Sequence, residues 1–136
     1  MKIKSYDRLK RTLDFEVGEN EYSARLTNGM LEEIEKVALS QGKSFVDMFL
    51  NKEPATLAMM KKTFCIGLMK DGKAIKGDAA LQVYNEAMYE GGIPEMTNFY
   101  YILMATVQAF GAEASKIILT ESGLYKDDES VTEKNA

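Results

Sequence analysis

The chain contains no histidine and only one cysteine, Cys65, in 136 residues. Without imidazole it lacks the side chain that most often serves as a general base near neutral pH and most often ligates metals. One thiol and no histidine cannot make the usual zinc sets. Cys65 also falls in an apolar stripe with no histidine to activate it, so an inert thiol is expected. A single cysteine forms no internal disulfide, which suits a reducing compartment. Long apolar runs are missing too. No stretch approaches the ~18 residues of a membrane span. The basic opening "MKIKSYDRLKRT" has neither the apolar stretch nor the cleavage site of a signal peptide.

Phosphate loops are also absent. "KDGKAIKGD" fits neither the dinucleotide fingerprint nor GxxxxGK[ST]. Asp71, Asp78 and Glu86 lack the alternate oxygen ligands of a calcium loop. Glu32, Glu33 and Glu35 fall on the polar face of a helix, where they make no acid/base pair. The expectation is a protein without enzymatic activity, metal or cofactor.

Charge is unevenly placed. Residues 1–12 carry Lys2, Lys4, Arg8, Lys10 and Arg11 against Asp7, a balance of +4, so a chain of net charge −4 has −8 in its remainder. An acidic body argues against nucleic-acid binding, where phosphate contacts dominate affinity. The basic segment 1–12 reads as a solvated end, or as a surface for an acidic partner.

What is present is a pattern of apolar spacing. In "LDFEVGENEYSARLT", Leu13, Phe15 and Val17 alternate with polar residues, and so do Tyr22, Ala24 and Leu26. A turn centred on Glu19-Asn20 would pair Val17 with Tyr22, Phe15 with Ala24 and Leu13 with Leu26, all on one face. Such a hairpin needs support from helices or from a partner's strand, and its outer edge is free to pair. Thr27 or Asn28 caps a helix carrying Met30, Leu31, Ile34, Val37 and Ala38, which stops at Gly42. Ser44 opens a short turn through Phe45, Met48 and Phe49.

Pro54 starts the next helix, "PATLAMMKKTFCIGLMK", with Leu57, Met60, Phe64 and Leu68 as its stripe. "DGKAIKGD" reads as a loop. Asp78 caps a helix with Leu81, Tyr84 and Met88 on one face, halted by Gly91-Gly92. Pro94 opens another, which carries Phe99, Leu103, Thr106, Val107 and Phe110 to Gly111. Residues 112–122 read as a last helix, although "KIILT" would also suit a strand. The fold class expected is α+β: a mostly helical single domain, residues 13–122, with an N-terminal β-hairpin and four to five helices. Residues 123–136 read as a disordered acidic tail.

Nine methionines suit surfaces that accept varied helical partners, although core filling explains many of them. Met59 and Met69 fall off the Leu57–Leu68 stripe, and Tyr100 and Tyr101 widen the arc beside Phe99. These four are the candidate partner-binding residues.

The order of elements, with the phrases "YSARLT", "LEEIEK…GKS" and "YEGG", resembles the tail assembly chaperones of long-tailed phages and prophages of Gram-positive bacteria. The resemblance covers roughly residues 13–112 and carries no catalytic motif. It implies a non-enzymatic assembly factor in the host bacterial cytoplasm that binds the tape-measure protein and helps to recruit tail-tube subunits. Such a protein is not expected in the mature virion. In many such phages a frameshift near the end of the gene appends a second domain. Other readings are a small phage structural or adaptor protein, such as a head–tail connector or tail-tube-related subunit, and a small host-directed regulator. Self-association through the hairpin is a further expectation.

Overall fold

The structure is a computed structural model that describes residues 1–125; the disorder expected of residues 126–136 lies outside the described residues. Five antiparallel strands form one sheet in the order β1 (Lys2–Asp7), β2 (Thr12–Val17), β3 (Asn20–Ala24), β4 (Leu68–Lys70) and β5 (Lys73–Ala74). The helices are α1 (Asn28–Ser40), α2 (Phe45–Leu50), α3 (Leu57–Gly67), α4 (Gly77–Thr106) and α5 (Ala112–Glu121). The α+β class with an N-terminal hairpin and five helices is as expected. No helix among the described residues is long and apolar enough to cross a membrane.

The β2–β3 hairpin forms with its apolar residues on one face, but in a different register. Leu13 pairs with Ala24, Phe15 with Tyr22 and Val17 with Asn20. The reversal is made by Gly18-Glu19, with Gly18 at φ +62. Only a glycine takes that conformation without strain, and its place at the first central position suits a tight hairpin turn. Moving the partner by two residues leaves every side chain on its original face, so the apolar pattern could not choose between the registers.

The basic segment is folded into the sheet, although Lys2, Lys4, Lys10 and Arg11 stay exposed as expected of a solvated stretch. It forms β1 beside β2, with a bulge between Ile3 and Ser5. The hairpin's edge is only partly free: β1 covers β2, while β4 pairs with β3 at Ser23 and Ala24 and leaves residues 20–22 beyond it. The expected loop after α3 is instead a second small hairpin, β4–β5. Asp71 (φ 53) and Gly72 (φ 77) make its turn, both in the left-handed region that a two-residue turn of this kind requires.

Helix boundaries follow caps. Thr27 and Ser44 cap α1 and α2, their hydroxyl oxygens accepting from the N–H of Met30 and Asp47, both at 3.3 Å. For α3 the cap is Thr56, which accepts from Met59 N–H at 3.2 Å, so the helix begins at Leu57 and not at Pro54. It ends at Gly67 because the chain there enters the sheet: Gly67 C=O accepts from Arg25 N–H at 2.9 Å. A Cβ on Gly67 would lie 3.0 Å from the Arg25 carbonyl oxygen, so the close approach needs glycine. Asp78, expected as a cap, stands inside the first turn of α4.

Within α4 the chain turns at Gly92 (φ 70, ψ −168), just ahead of Pro94, where the sequence predicts a break between two helices. That backbone region is essentially glycine's alone. α4 ends at Thr106, before Gly111, because Gln108 adopts φ 59 and closes the last turn, its N–H donating to Ala105 O at 3.0 Å. α5 ends the same way at Gly123, after which Leu124 and Tyr125 pack on the core instead of trailing away from it.

The helices cover the inner face of the sheet. Leu13, Phe15 and Val17 are wholly buried against Phe64 of α3 and Phe99 of α4. Phe15, Phe64 and Phe99 meet in a triangle with ring centroids 4.8–5.7 Å apart. Before the kink, α4 buries Ala80, Val83, Tyr84 and Ala87, leaving Leu81 38% exposed; Tyr84 reaches Phe64 with ring centroids 5.6 Å apart.

Candidate functional site

The four residues nominated from sequence divide between two faces. Met59, Tyr100 and Tyr101 come together on the helical side. Met69 lies on the outer face of the sheet.

Met59 does not face outward. α3 starts three residues later than expected, and its buried arc is Met59, Met60, Thr63, Phe64 and Gly67. Gly67 fixes that arc by its contact with the end of β3. Leu57, placed in the stripe by sequence, is 51% exposed, whereas Met59 is 1% exposed. Tyr100 is buried too, which pushes its phenol ionisation well above the ordinary tyrosine range. Tyr101 is half-buried beside it, ring centroids 5.4 Å apart.

Over these three residues lies α2. Phe45, Met48 and Phe49 point inward and line one pocket with Met59, Tyr100 and Tyr101, leaving a gap of about 10 Å³. That is room for about one water molecule. Phe49 stacks between Phe45 (4.6 Å) and Phe110 (4.8 Å), and Phe110 reaches Tyr101 at 6.3 Å. An aromatic row thus runs from α2 through Phe110 to α4. On the other side of α2, Val46 and Leu50 are 56% and 74% exposed. The sequence placed Phe45, Met48 and Phe49 on one short turn, but six residues are too few for periodicity to say what such a turn covers.

The outer face of the sheet is polar, with two open depressions of about 420 and 510 Å³ that share Asp14, Ser23 and Gly72. Asp14 accepts from Ser23 Oγ at 2.7 Å and from Ser5 Oγ at 3.3 Å, one from each neighbouring strand. Glu16 and Glu21 stand opposite each other on β2 and β3, a repulsive pairing. The bulge in β1 delivers Lys4 to both, 3.6 Å from Glu16 and 2.7 Å from Glu21. Its hydrogen bond to Lys4 holds the Glu21 carboxyl below the ordinary range. Met69 lies among these groups, paired with Ser23 and half-buried. These polar groups are engaged with one another.

Chemistry-bearing residues stay apart. Cys65 is half-buried, and desolvation raises its thiol pKa, which keeps it protonated and weakly nucleophilic. Among the described residues no group of three or more acids or cysteines is placed to hold a metal ion. Compared with protein-family models, with curated proteins and with solved structures, the chain gives no match.

Proposed function

We propose that the protein is a non-enzymatic tail assembly chaperone of a long-tailed phage or prophage. In this reading it binds apolar helical segments of the tape-measure protein and helps to recruit tail-tube subunits in the host cytoplasm. It then leaves before the virion is complete. The resemblance of residues 13–112 suggests the class. The observation that carries the reading is the seat formed by Met59, Tyr100 and Tyr101, an apolar surface that the short helix α2 fills to within about 10 Å³. Methionine and tyrosine are well suited to holding varied apolar guests, since methionine adapts its shape and tyrosine offers a broad ring with a polar tip.

Co-expression with the tape-measure protein tests this. The two should co-purify, and Tyr101→Ser should weaken the complex while leaving the fold cooperative, because Tyr101 is only half-buried. Stoichiometric presence of the protein in purified virions would overturn the reading in favour of a connector or tail-tube-related subunit.

A further inference from the structure

We propose that α2 is a detachable lid, a turn of the chain's own helix held in the seat that a guest helical turn takes when α2 swings out. The inference rests on the chaperone reading for the identity of the guest, but not for the motion.

Three features of the segment point to it. First, the hydrogen bonds of residues 44–53 run within the segment itself among the described residues: Met48 N–H to Ser44 O at 2.9 Å, Asn51 N–H to Asp47 O at 2.9 Å and Glu53 N–H to Met48 O at 2.8 Å. The turn can therefore leave intact, with only the packing of Phe45, Met48 and Phe49 to be given up. Second, left-handed residues bracket it, Gly42 (φ 74) before and Lys52 (φ 55) after. Such positions close the helix before them and reverse the chain sharply, so the segment leaves and rejoins the body at two tight turns. Third, the base of the segment is pinned. Thr56 Oγ1 donates to Gln41 Oε1 at 2.7 Å, joining the end of α1 to the start of α3. Opening residues 44–53 leaves α1 and α3 packed together, with Gly42 and Lys43 N–H still donating to Leu39 O and Ala38 O at 2.9 Å, in the manner of a closed surface loop with adjoining ends.

α2 also states what the seat accepts. It offers an aromatic ring, a methionine and a second ring at positions i, i+3 and i+4, the spacing by which a helix lays one face into a groove. The partner chemistry is therefore a short amphipathic helical turn with bulky apolar anchors at those intervals. The guest and α2 compete for one place. With the lid open in about 1–10% of molecules, a guest binds roughly 10- to 100-fold more weakly than it would to an unlidded seat.

The probe is a fluorescein-labelled peptide of residues 43–53, stapled through positions 46 and 50, the outward pair, and added to the full chain. Phe45→Ser/Phe49→Ser should bind it about tenfold or more tighter than the wild type, with Met59, Tyr100 and Tyr101 intact. Equal affinity for the two proteins overturns the lid. Methionine oxidation of the wild type decides the matter if the double variant fails to fold. Opening bares the seat, so dilute peroxide should oxidise Met48 and Met59 through a local opening insensitive to dilute urea, while the equally buried Met96 and Met104 wait for global unfolding. Oxidation of Met59 no faster than that of Met104 overturns the proposal. Tighter peptide binding by a variant that captures no tape-measure protein supports the lid and sinks the chaperone reading alone.

Discussion

Two groups of aromatic rings organise the interior, and they are built on different plans. Phe15, Phe64 and Phe99 form a closed triangle beneath the sheet, each at most 1% exposed and each touching the other two. Phe45, Phe49, Phe110, Tyr101 and Tyr100 form an open row in which each ring leans on one or two neighbours. A triangle has no end to release, because removing any ring leaves the other two facing a void. A row can lose its terminal member and remain a row. The strands and the long helices lock the first group, whereas a single six-residue helix supplies the end of the second. The triangle is enclosed by the sheet and the long helices, whereas the row ends at Phe45 and Phe49 of α2.

Substitutions can break this contrast. Phe64→Ala should have the largest effect, about 3–5 kcal/mol in urea unfolding, as for a large side chain removed from a tight core. A loss no larger than that of Phe49→Ala would erase the difference between the groups. Gly92→Ala comes next, at about 1–3 kcal/mol, since alanine is strained at that φ and ψ. The bend it disturbs aims Phe99 into the triangle and Tyr100 and Tyr101 into the row, so ring resonances of both groups should shift together in NMR. Phe49→Ala should cost about 1.5 kcal/mol, because the ring is only partly buried. Gln108→Gly should stabilise by about 1 kcal/mol, relieving a left-handed side-chain residue just before Phe110; an unchanged thermal midpoint would show that the helix end is already relaxed there.

The smallest effect lies on the outer face of the sheet, where charge replaces aromatic packing. The Glu21 carboxyl is held low by Lys4, so its contribution is present above the ordinary carboxylate range and fades as pH falls through its own lowered value. The wild type should lose slightly more stability than Glu21→Gln between about pH 5 and about pH 3. Parallel curves for the two proteins would mean that the Lys4 contact contributes nothing.

Periodic segments with strong caps were legible in the sequence. Thr27, Ser44, Gly42 and the Gly91-Gly92 break all act where the spacing places them. β1 was not legible, for a definable reason. Its inward residues, Ile3 and Tyr6, are three apart because the bulge inserts Lys4 between them, so alternation by two never shows. The strands β4 and β5, three and two residues long, are too short to alternate at all, although Asp71-Gly72 is a strong turn signal. At the candidate site, Tyr101 and the inward residues of α2 could be nominated from spacing. Their meeting with Met59 could not, since it depends on Thr56 and Gly67 setting where α3 begins and which side it buries.

The bulge in β1 has a second effect, on how the protein behaves when crowded. β1 and β5 are the two borders of the sheet, and a border of unpaired N–H and C=O groups invites a foreign strand to add itself. At one border the kinked backbone, with Lys2 and Lys4 beside it, spoils the straight ladder that an incoming strand would need. At the other there are two residues, too few to hold one. Both borders thus discourage growth of the sheet from copy to copy.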